Sequence, residues 1–101
     1  MTTEKTKPQD VPLPEPSLVG LASGLAAQAM ASMGMFSGPS GEQIEIKLNQ
    51  AKHLIETIAI LEEKTKGNRT EDETNKLGGI LHELRMIFVA AQNEHERRTK
   101  E

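Results

Sequence analysis

From Glu71 into the low nineties, Leu77, Leu81, Leu84, Phe88 and Ala91 step by four, three, four and three, and Ile80 and Ile87 widen the same face. Apolar residues so spaced return to one side of a helical turn, so this segment predicts an amphipathic helix over about 71–93. A second stripe, Leu48, Ala51, Leu54, Ile55, Ile58 and Leu61, predicts another over about 48–66, with Asn49, Lys52, His53, Glu56 and Glu63 facing away. Its start stays open. Ile44, Ile46 and Leu48 alternate as in a short strand, yet Ile44, Leu48, Ala51 and Ile55 also suit a helix, and Ser40 to Gln43 suits a capping box.

A different pattern governs the stretch SLVGLASGLAAQAMASMGMFSGPSG, which carries no charge from Ser17 to Gly41. Leu18, Leu21, Leu25, Ala29, Ser32 and Phe36 recur at helical spacing, and the rest is mostly Ala, Gly, Ser and Met. Ser17 suits a cap, while Gly34 and the Gly38-Pro39 pair suit a stop. The expectation is a first helix over 17–35, small-faced on nearly every side.

The flanks are polar. Pro8, Pro12, Pro14 and Pro16 predict a disordered, Pro-rich leader over 1–16, and the charged end predicts a frayed tail over 96–101. Between them, residues 17–95 form a single helical domain. The predicted fold class is all-α, a small three-helix architecture. Helices two and three form an antiparallel hairpin, and helix one packs on it or on a second subunit.

The hairpin's corner is EKTKGNRTEDE, residues 63–73. Lys64 and Lys66 oppose the negative end of helix two, and Gly67 suits the left-handed position past its end. Thr70 to Glu73 is a capping box, and Glu71, Asp72 and Glu73 favour the positive start of helix three. A phosphate-gripping loop would need GxxxxGK[ST], and here the lysines precede the glycine. Every group in the corner thus has a structural use except Arg69. It stands where an apolar side chain would staple the helix start, and is expected to be an exposed cation free to meet a partner.

Composition narrows the function. At 101 residues the chain suits one small domain with a thin core, and with no cysteine it has no thiolate staple. Phe36 and Phe88 are the only aromatics; the net charge is −3, with both signs interspersed. Nucleic acid is therefore a disfavoured partner, lacking both a basic stripe and stacking platforms. The N-terminus has no secretory pattern, so the expected location is cytoplasmic.

Catalytic and metal motifs fail on spacing. His82-Glu83 begins like HExxH, but Met86 occupies the second histidine position, and the acids at 71–73 are contiguous rather than spaced as in a calcium loop. Ser23 and Ser32 lie among small neighbours, as packing residues do. We expect no enzyme, no cofactor, no metal and no small-molecule substrate.

The run LVGLASGLAAQAMASMGM, then Leu48 to Lys52, then KTKGN with Thr70 and Glu73, then Leu84-Arg85 and Phe88-Val89, resembles a small bacterial family, domain of unknown function 1844. The resemblance covers about residues 17–91, and KTKGN is its most specific piece. It implies a compact helical bacterial protein and supplies neither reaction nor ligand. The sequence departs from the pattern at Arg69, where an apolar residue is usual, and at Lys47, where Asp or Asn would cap. Gly78-Gly79 also replaces larger apolar residues. Those glycines imply a weak turn or, as the second reading, the close approach of another helix.

These patterns lead to a non-catalytic protein–protein interaction or oligomerisation module, contacting its own kind or another protein. Its expected contact surface is Leu18, Leu21, Leu25, Met30, Met33 and Phe36, with Arg69 added; that the first six complete an intramolecular core is rated nearly equal. The alternative is membrane association, with residues 17–36 as an apolar anchor. The uncharged run from Ser17 to Gly41 exceeds twenty residues and holds Gly20 and Gly24 at GxxxG spacing. Gln28, the serines and the missing interfacial aromatics weaken that alternative.

Overall fold

The computed structural model describes residues 13–35 and 46–99. The chain order is α1 (Leu18–Ser32), α2 (Leu48–Lys64) and α3 (Glu71–Thr99), and each helix packs against the other two. Among the described residues there is no strand. Of the expected leader, residues 13–16 lie outside any helix or strand and are exposed, and the remainder lies outside the described residues, as do Phe36, Gly38 and Pro39.

α1 starts where Ser17 Oγ accepts the Gly20 amide at 2.9 Å. It ends at Gly34, whose φ of 81° is the left-handed geometry an L side chain resists. The amides of Gly34 and Met35 donate back to the carbonyls of Ala31 and Met30, both at 3.0 Å. This pairing closes the last carbonyls of a helix. The Lys47 amide then donates to Ser32 O at 2.7 Å, tying the start of α2 to the end of α1. Lys47 gives α2 no side-chain cap, as its departure from an Asp or Asn implied.

The face α1 turns inward keeps Ala29 and Ser32 of the expected stripe but is centred on smaller residues than its leucines. Ala22, Ala26, Ala29 and Met33 are buried, Leu18, Leu25 and Met30 flank them partly buried, and Leu21 is 53% exposed. Alanines at the contact let helix backbones approach closely, and the larger side chains then fill the margins. Against this face stand Ala51, Leu54, Ile55 and Ile58 of α2 and Leu77, Leu81 and Leu84 of α3. Ser32 is also buried, its hydroxyl donating to Gln28 O at 3.0 Å.

The corner between α2 and α3 is built by reciprocal hydrogen bonds. Thr65 Oγ1 donates to Leu61 O at 2.7 Å, and Gly67 turns the chain at φ 88°. Thr70 N donates to Glu73 Oε1 at 2.9 Å, while Glu73 N donates to Thr70 Oγ1 at 3.1 Å, completing the capping box. Removing the hydroxyl with Thr70→Ala is expected to cost about 1 kcal/mol, measured as a lower urea midpoint with unchanged slope.

α3 continues to Thr99, past the expected end near residue 93 and through most of the tail expected to fray. Ion pairs one turn apart accompany the last turns. Glu94 meets Arg97 at 2.6 Å and Arg98 at 3.1 Å, and Arg97 and Arg98 suit the negative end of the helix. Hydrogen bonds from Arg97 and then Arg98 hold the Glu94 carboxyl below its ordinary pKa.

Candidate functional site

The residues expected to meet a partner do not form one surface. Met33 is 4% exposed and belongs to the core; Leu18, Leu25 and Met30 pack on its edge, and only Leu21 stands well into solvent. Phe36 lies outside the described residues. The expected membrane anchor is likewise altered by the fold. The 15 residues of α1 reach only about 22 Å, against a hydrocarbon core of about 30 Å. Among the described residues, no helix is long and apolar enough to cross a membrane.

Arg69 is corrected more sharply. It is not a free exposed cation: it is half-buried, folded back on α2, and its Nη1 donates to Glu62 O at 2.6 Å. A helix leaves its last carbonyls without internal partners, and a guanidinium reaching back satisfies one of them. Its Nε is buried without a hydrogen-bond partner, which offsets part of that gain. Arg69→Ala is expected to lower stability by about 1 kcal/mol, read by denaturant unfolding, because the Glu62 carbonyl loses a charged donor.

The three histidines do not converge with acids into a metal-holding cluster among the described residues. His53 lies on the exposed side of α2, while His82 and His95 are separated by several turns along α3.

What the helices do build is a groove on the α2/α3 side. One part, of about 290 Å³, is lined by Lys52, Ile55, Glu56, Ala59, Arg85, Phe88 and Val89. Another, of about 650 Å³, lies toward the start of α2 and includes Lys47, Leu48, Lys52, Phe88, Gln92 and His95. Rising residue numbers on α2 thus meet falling numbers on α3. The larger volume falls within the range of ordinary ligand sites and the smaller lies at its lower edge, but each is an open cleft.

Met86 and Val89 extend the apolar lining outward beside His82 and Arg85. Met86 is 61% and Val89 53% exposed. The helical pattern explains why they were overlooked. They fall outside the four-three ladder that feeds the core, and attention to apolar residues off that ladder finds them. Lys52, Glu56 and Arg85 stand along the groove with no ion-pair partner among the described residues.

No match was found among curated proteins, and none among solved structures. A family model does match, over residues 15–90, and takes in all of α1 and α2, the corner and most of α3. On that match the chain belongs to the family described as Domain of unknown function (DUF1844).

Proposed function

We propose that this protein is a non-catalytic protein–protein interaction module of the bacterial cytoplasm, acting first through self-association. The observation that carries the reading is the apolar floor of Ile55, Ala59, Phe88 and Val89 in the α2/α3 groove, with Val89 more than half exposed and Met86 exposed on the adjoining surface of α3. Single exposed apolar residues are ordinary on a soluble protein, whereas neighbouring ones along a concave face mark contact surfaces. Phe, Met and Arg are also the side chains that interfaces enrich. Leu21 on α1 is a second, separate apolar point.

The core gives the same reading a thermodynamic motive. Its large fully buried side chains are Ile58, Leu77, Leu81 and Leu84, and much of the remainder is alanine. A small core with little apolar volume gains from covering more surface.

Sedimentation equilibrium of the full chain, from micromolar to millimolar, tests the proposal. The expected result is a weight-average mass that rises reversibly above the monomer value. A strict monomer throughout would overturn self-association, and co-flotation of that monomer with liposomes would replace it with attachment to lipid.

A further inference from the structure

The groove between α2 and α3 raises the question of its occupant. Lys52 and Arg85 supply positive charge and Glu56 negative charge along one short apolar floor, and none of the three has an ion-pair partner among the described residues. A partner of one sign would satisfy only part of that pattern. A two-fold axis pairs Lys52 with Glu56 twice and leaves Arg85 outside that exchange, because an isologous interface repeats each contact reciprocally.

We infer that the occupant is a second copy of this chain, packed α2/α3 against α2/α3 as a four-helix arrangement; this rests on the self-association proposed above. In this arrangement Phe88 and Val89 meet apolar side chains of the partner copy. Lys52 faces Glu56 of the other chain, and Glu56 faces its Lys52. Apolar contact supplies the affinity, and the paired charges set register and orientation. α1 stays on the opposite side of each hairpin, where its alanines already fill the monomer's core.

Charge exchange tests the geometry without disturbing any core residue, since Lys52 and Glu56 are both exposed. Glu56→Lys and Lys52→Glu chains are prepared separately, and their masses are followed by sedimentation equilibrium alone and mixed in equal amounts. Each variant alone sets like charges across the axis twice and is expected to remain monomeric. The mixture restores both opposite-charge contacts and is expected to show the twofold mass of a heterodimer. Val89→Glu is expected to abolish association, whereas Leu21→Glu is expected to leave it unchanged.

If wild-type chains associate but both charge variants keep the wild-type mass, or if Leu21→Glu alone abolishes it, the groove is not the interface. The self-association reading then survives on another surface. A wild-type chain that stays monomeric removes both.

Discussion

Leu81→Ala is expected to destabilise the protein by about 3 kcal/mol, within the range of about 2–5 kcal/mol that buried leucine truncations cost. Leu81 is 1% exposed and sits in the ladder Leu77, Leu81, Leu84 that forms the α3 wall of the core. The cost has two parts: lost transfer of apolar surface from water, and a cavity that neighbours only partly fill. Ile58, Leu77 and Leu84 are themselves fully buried, so little slack exists to close the gap. Urea unfolding at one fixed protein concentration measures the change, because association would otherwise contribute to the midpoint. A loss under about 1 kcal/mol would mean that the core is loosely packed or that Leu81 lies elsewhere.

The opposite effect is expected at Gly78 and Gly79. Both lie inside α3, and an added Cβ at either meets nothing within 4 Å among the described residues. Close approach of another helix within the chain therefore does not explain them, and the weak-turn reading stands. Each glycine costs about 1 kcal/mol relative to alanine in a helix interior, chiefly by enlarging the freedom of the unfolded chain. The double variant Gly78→Ala, Gly79→Ala is expected to gain about 2 kcal/mol. At about 4–8 °C per kcal/mol for a domain of this size, the thermal midpoint should rise clearly. An unchanged or lower midpoint would show that this turn needs glycine, through a bend or a contact made only in an assembly.

The contrast between α1 and the other helices shows where sequence reading works. In α2 and α3 the periodic positions hold the buried large residues, Leu54, Ile58, Leu77 and Leu81 among them, while Ile60, Met86 and Val89 lie off the stripes and are exposed. In α1 the same logic selects Ala29 and Ser32, which are buried, together with leucines that lie at the margin or in solvent, and it passes over the buried Ala22, Ala26 and Met33. Hydropathy reports the gain from leaving water; it does not report how closely two backbones approach. That distance is a tertiary quantity.

The candidate site divides in the same way. The capping box from Thr70 to Glu73 is local and was readable from spacing alone. Arg69 misled because its partner, the Glu62 carbonyl, lies across the corner and is supplied by backbone rather than by a recognisable side chain. The end of α3 was readable in principle, since Glu94 with Arg97 and Arg98 has helical pair spacing. It was missed because the apolar stripe had stopped. The groove needed two helices in place before Lys52, Glu56 and Arg85 shared one edge.

The most direct test is nuclear Overhauser contact between isotopically labelled and unlabelled copies of the full chain, filtered to separate contacts within a chain from those between chains. The expected result places Ala26 and Met30 against Ile80 and Leu84 within one chain, as in the fold described. Contacts between chains are expected from Phe88 and Val89. Contacts between chains from Ala22, Ala29 or Met33, with none from Phe88 or Val89, would contradict it. They would make α1 the subunit interface.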